Sequence, residues 1–121
     1  MKKFIIFLLF ISIACSDDSN DDINCTEEFV PGLVVTVKDA TSGSILKEGV
    51  TVMATEGNFT EELEVISQNS SDFYGAFERK GNYILTASKE GYKTYTSGVI
   101  QVDADRCHVF TEKVTIALEK V

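Results

Sequence analysis

From Leu33 onward the chain is a succession of short β-branched and aromatic runs, broken by Gly, Asn, Asp and Ser roughly every ten residues. No stretch competes with this pattern as an amphipathic helix, so it predicts an all-β fold, a seven-stranded antiparallel β-sandwich. Leu33 to Lys38 places Leu33, Val35 and Val37 on one face and ends in Asp39-Ala40-Thr41-Ser42-Gly43, residues that tolerate a tight turn. Val50, Val52 and Ala54 continue the inward pattern. Phe59 to Ile66 carries Leu63 and Val65 at strand spacing among Glu61, Glu62 and Glu64, the mark of a strand or edge strand. Phe73 to Phe77 leads to a turn at Lys80-Gly81-Asn82, then to Tyr83–Lys89 with Tyr83, Leu85 and Ala87 inward. Gly91 marks the next turn. The last two strands are expected near Thr94–Val102 and His108–Leu118, with Val114, Ile116 and Leu118 on one face. A core from roughly 90 ordered residues is thin enough for one covalent staple to matter.

The 121-residue chain has room for one such domain and a processed leader. Met1-Lys2-Lys3 is a basic n-region, and Phe4 to Ala14 is an apolar run ending at a small residue before Cys15. That is a secretory signal over residues 1–14. A spanning helix needs about 20 apolar residues, and the acidic stretch from Asp17 to Asp22 stops this run short. A Cys directly after Ala14 resembles the lipobox of bacterial lipoproteins, with Ser12 standing where that family usually has Leu. The resemblance implies that Cys15 becomes the lipid-bearing N-terminus; the alternative is a soluble secreted protein cleaved nearby.

Ser16, Asp17, Asp18, Asp21 and Asp22, directly after Cys15, resemble the acidic export signal of surface lipoproteins in the Bacteroidetes phylum. This implies the outer face of the outer membrane, with the periplasmic face as the alternative. Read as composition alone, residues 15–28 are an acidic, solvated tether before a domain at 29–121. Three cysteines are an odd count for an exported chain, and lipidation of Cys15 leaves Cys25 and Cys107 as one pair. They flank the first and last strand-like runs, so a disulfide between them is expected, against the alternative of two unpaired buried thiols.

Val37-Lys38-Asp39-Ala40-Thr41-Ser42-Gly43 followed by Gly49-Val50-Thr51-Val52 resembles the opening of carboxypeptidase regulatory-like domains. Asp72-Phe73-Tyr74-Gly75-Ala76-Phe77, Gly81-Asn82-Tyr83-Ile84-Leu85 and Lys89-Glu90-Gly91-Tyr92 resemble later pieces of the same family, in order, over residues 33–118. Ile45 stands where the family commonly has Pro, and Glu48 resembles an added residue. The resemblance implies a transthyretin-like (prealbumin-like) sandwich used as a folding, spacing or binding module, with no catalysis of its own. Gly75 and Gly91 match family glycines, which suit positive φ or close backbone approach.

The formal net charge of −8, which becomes −10 once Lys2 and Lys3 are removed, argues against nucleic acid as a partner. One His, no Trp and no nucleotide or metal motif argue against an enzyme and against any cofactor. Cys107-His108 as a catalytic pair is disfavoured because neighbours on an extended strand point to opposite faces. His108 is read as structural or merely exposed. The acids from Asp17 to Asp22 lack the Gly turn and terminal Glu of a calcium loop. Phe73, Tyr74, Phe77, Tyr83, Tyr92 and Tyr95 are read as core and turn packing in preference to a stacking platform. The sequons at Asn58 and Asn69 are read as coincidences in a bacterial lipoprotein. The leading functional reading is a non-catalytic surface lipoprotein, anchored to the membrane through its lipid, that binds a protein or glycan through loops and exposed strand edges. The alternative is a structural spacer or assembly subunit.

Overall fold

A computed structural model describes residues 24–121. Among them the chain forms seven strands and no helix: β1 (Leu33–Asp39), β2 (Thr51–Glu56), β3 (Phe59–Leu63), β4 (Phe73–Gly75), β5 (Gly81–Ser88), β6 (Tyr95–Val102) and β7 (Glu112–Leu118). They make two sheets, ordered β4-β1-β7 and β3-β2-β5-β6. This is the all-β sandwich that the period-two pattern predicts. One pairing departs from the antiparallel expectation, because β1 and β7 run parallel over their whole length, from Leu33 opposite Glu112 to Asp39 opposite Leu118. The first and last strands are joined by the entire intervening chain, which supplies the long crossover a parallel pair requires.

The core follows from alternation. Leu33, Val35 and Val37 of β1 and Ile116 and Leu118 of β7 face Val52, Ala54, Tyr83, Leu85 and Ala87 of the other sheet, all of them buried. Each large aliphatic side chain buried this way contributes about 1.5–3 kcal/mol of transfer free energy. Tyr83 enters the core and keeps its hydroxyl satisfied, donating to the Arg79 carbonyl at 2.7 Å. A buried phenol without that partner would carry a desolvation cost.

The turns use side-chain chemistry as well as glycine. Asp39 is 4% exposed, and its carboxylate accepts the backbone N–H groups of Thr41 and Ser42, each at 2.8 Å, and the Tyr92 hydroxyl at 2.7 Å. Those bonds, led by the Ser42 amide, hold its carboxyl down at about 2. Gly75 has no room for a side chain, since a Cβ there would stand 2.6 Å from Leu63 Cγ. Gly91 turns the chain with φ of 90°. The turn expected at Lys80-Gly81-Asn82 lies earlier: Ala76 and Glu78 take left-handed φ values of 53° and 52°, and Gly81 already opens β5. The strand expected from His108 begins only at Glu112, because the Asp105 carboxylate accepts the N–H groups of Cys107 and His108 and curls the chain there.

Candidate functional site

Two features stand out among the described residues: a clamp at one end of the sandwich and an open flank along one side. The clamp begins with a bridge between Cys25 and Cys107, 82 positions apart in sequence, whose Cα atoms lie 5.2 Å apart. Beside it the Glu78 carboxylate accepts the Val30 N–H at 3.0 Å and the Val109 N–H at 3.2 Å, and contacts His108 Nδ1 at 2.5 Å. His108 Nε2 lies 2.8 Å from the Thr26 hydroxyl. Three separate segments, 24–30, 76–79 and 105–109, are thus drawn onto one carboxylate and one imidazole. The Val30 amide and then His108 hold the Glu78 carboxyl below its usual range, and Glu78 in turn raises the His108 imidazole.

This arrangement fastens an end of the domain. The Cys107 sulfur is committed to a bond and cannot serve as a thiolate nucleophile. Cys107 and His108 lie where the Asp105 carboxylate curls the chain, so His108 is outside the extended strand expected to begin there. An open hollow of about 510 Å³ lies against the clamp, lined in part by Lys80, Arg106 and Glu28. Its charges are of both signs. Among the described residues no group of three His, Cys, Asp or Glu side chains is placed to hold a metal ion.

The open flank arises from how the two sheets meet. On one side Glu64, just past β3, and Tyr74 of β4 exchange backbone hydrogen bonds of 3.1 and 2.8 Å and join the sheets. On the other side lie β6 and β7, each the free edge of its sheet. They are tied only at their ends: the Phe110 N–H donates to the Asp103 carbonyl and the Lys93 N–H to the Glu119 carbonyl, both at 2.7 Å. Between those ties the edges stand apart around a hollow of about 520 Å³, bounded by Tyr95, Gly98 and Ile100 on one side and Lys113, Val114 and Thr115 on the other. Along this opening β6 reads Tyr-Thr-Ser-Gly-Val-Ile-Gln-Val, eight residues with no charge, and Val99 is 67% exposed.

Cys15, Ser16, Asp17, Asp18, Asp21 and Asp22 lie outside the described residues. Residues 24–28, assigned to the tether by composition, are held on the domain by the Cys25 bridge and the Thr26 contact. Of the aromatic candidates, Phe73 and Tyr83 are buried, Phe77 stacks on Phe29 with ring centroids 4.8 Å apart, and Tyr92 binds Asp39. They do not share a surface; Tyr95 alone of them borders the open flank. Asn58 and Asn69 are exposed. Glu78 was not singled out by sequence, and no local pattern marks it, because its partners come from 30 and 48 positions away. Arg79 was missed for the same reason: its guanidinium lies 3.7 Å over the Phe59 ring and pairs with Glu56 at 2.8 Å. No protein-family model matches the chain, and no curated protein matches it.

Proposed function

We propose that this protein is a non-catalytic, lipid-anchored surface module that binds a protein or glycan, with the open flank between β6 and β7 as its binding element. The observation that carries this reading is β6 itself, an eight-residue edge without charge whose neighbour β7 leaves it unpaired through the middle. Natural edge strands are ordinarily blunted by charges, shortness or cover. The other edges here follow that rule: β3 carries Glu61 and Glu62, β4 has three residues, and β7 carries Glu112 and Lys113.

The leader and the Cys15 lipobox supply the anchor in this reading, and the acids after Cys15 supply display on the outer face. Both rest on the sequence resemblance, as does assignment of the sandwich to the carboxypeptidase regulatory-like, transthyretin-like group. Among the described residues no helix is long and apolar enough to cross a membrane. The clamp then sits where the tether enters the domain, so the attached end is the covalently fastened one.

The test is a pull-down of the intact lipoprotein from its native envelope, run beside Val99→Lys and Cys15→Ser variants. The reading expects a partner whose recovery falls sharply with Val99→Lys, and loss of palmitate labelling with Cys15→Ser. Recovery of no partner at any salt concentration would return the protein to the spacer class.

A further inference from the structure

Residues 24–29 are all exposed, and among the described residues none of their backbone groups bonds to another backbone group. Three contacts hold them to the domain: the Cys25–Cys107 bridge, the Thr26 hydroxyl against His108 Nε2 at 2.8 Å, and the Phe29 ring on Phe77. Backbone bonding to the rest of the fold begins at Val30, whose carbonyl accepts the Glu78 N–H at 2.8 Å. Ordering six exposed residues costs conformational entropy that one hydroxyl and one exposed ring do not offset, so the strap depends on its covalent bond.

That bond can be approached. Cys107 lines the open hollow of about 510 Å³ together with Lys80 and Arg106, and this volume is in the range of small-molecule pockets. Both cations are exposed, and neither makes an ion pair among the described residues. Three acids line the same hollow. Glu78 is taken up by the Val30 and Val109 amides and by His108, and Asp105 by the amides of Cys107 and His108. Lys80, Arg106 and Glu28 are the groups left to meet a ligand, which suits a molecule with one carboxylate and one ammonium group.

Resting on the lipid-anchored reading above, we infer that the Cys25–Cys107 bridge is a thiol-exchange site, opened by a small amino-acid thiol that enters the hollow, and that its opening releases residues 24–29 into the tether. The carboxylate of the thiol meets Lys80 and Arg106 and its ammonium meets Glu28, which brings its sulfur to Cys107. Exchange runs through the thiolate. It attacks the Cys107 sulfur, the S–S bond breaks, and Cys25 leaves as a thiolate that takes a proton from water. A second thiol then attacks the mixed disulfide, departs as the small-molecule disulfide and returns Cys107 as a thiol. Two electrons pass from two thiols to the bridge, and two protons end on the two cysteines.

Cys25 stands ten positions from Cys15 and Val30 stands fifteen. At no more than about 3.6 Å per residue, opening the bridge moves the limit of reach from about 36 Å to about 54 Å. The bridge thereby sets how far the open flank can stand from the membrane.

The experiment uses the mature lipoprotein in detergent micelles and cysteine as the thiol, with uncharged mercaptoethanol and cationic cysteamine as controls. Opening is followed by alkylation and mass spectrometry, and each rate is divided by that thiol's rate on an unstructured peptide disulfide. The proposal expects cysteine to lead both controls by at least about threefold, that lead to vanish when Lys80→Ser and Arg106→Ser are combined, and the mixed disulfide to be trapped on Cys107. An unchanged Tm of the oxidised double variant shows that its fold is intact. With the bridge open, NMR order parameters of residues 24–29 should fall below about 0.6 while the strands stay at about 0.85. Equal normalised rates for the three thiols, a mixed disulfide on Cys25, or residues 24–29 still ordered in the reduced protein would each overturn the proposal. The same mass spectra show whether Cys15 carries lipid; an unmodified Cys15 would remove the anchor reading and leave the exchange chemistry as measured.

Discussion

Glu64 and Tyr74 exchange backbone hydrogen bonds in both directions and close one side of the sandwich, while the opposite side stays open between β6 and β7. The molecule is therefore asymmetric about its core. The disulfide and the Glu78–His108 contact lie together at one end, and the unpaired edges of β6 and β7 run along one flank.

The bridge between Cys25 and Cys107 closes an 82-residue separation, and removing it is expected to cost about 2–4 kcal/mol, most of it through the unfolded chain. For a domain of this size that is a fall in Tm on the order of 10 °C or more, with β-sheet circular dichroism retained below the transition. Melting curves of oxidised and reduced protein check it. A reduced form melting within a degree of the oxidised one would show that the bridge carries no stability.

His108 is expected to titrate above its ordinary 6.5, because the Glu78 carboxylate favours the imidazolium. A raised folded-state pKa contributes stability that is complete below the unfolded value and is lost as pH rises through the folded one. The lowered carboxyl of Glu78 contributes in the opposite sense, present above 4.5 and lost as pH falls through its folded value. The pair thus supports the fold best between about pH 4.5 and 6.5. Glu78→Gln should bring the His108 midpoint, read by NMR, back toward 6.5, and His108→Gln should flatten the decline of Tm above pH 6.5.

Asp39 keeps its carboxylate ionised down to about pH 2, through the Ser42 amide first, then the Tyr92 hydroxyl and the Thr41 amide. Its contribution is present above the unfolded value of 3.8 and is lost as pH falls through about 2. Asp39→Asn should lower Tm by several degrees at neutral pH and remove most of the slope between pH 4 and 2. A slope unchanged in the variant would transfer the acid sensitivity to other carboxylates.

Leu85 and Val99 lie on neighbouring strands and should respond oppositely to truncation. Leu85→Ala opens a cavity in a fully buried position and should cost about 2–5 kcal/mol. Val99→Ala, at an exposed edge, should stay within about 0.5 kcal/mol of wild type. Chemical denaturation at equal m-values separates the two.

The inner faces were legible because alternation needs only local sequence: Leu33, Val35, Val37, Leu85 and Ile116 all face inward at their expected positions. The parallel pairing of β1 with β7 was not, since nothing local to either strand records which distant strand lies beside it or in which direction. The turn at Ala76 and Glu78 escaped because left-handed residues are sought among Gly, Asn and Asp; here Glu61 and Val30 hold the backbone of an Ala and a Glu in place. The cysteine pair was legible from parity, but the Glu78–His108 contact beside it was not. Exposed strand edges were expected in general terms. Which edge stays bare depends on the Glu64–Tyr74 closure of the other side, a contact between residues that sequence patterns do not couple.

The account rests most heavily on the open flank being the binding element of the protein in its envelope. Hydrogen–deuterium exchange of the lipoprotein in native envelope, compared with the same protein purified in detergent, tests this directly. The account predicts slower exchange in the envelope across residues 95–101, with the clamp at Cys25, Glu78 and His108 exchanging alike in both. Equal exchange along β6 in the two preparations, or protection confined to another part of the domain, would contradict it.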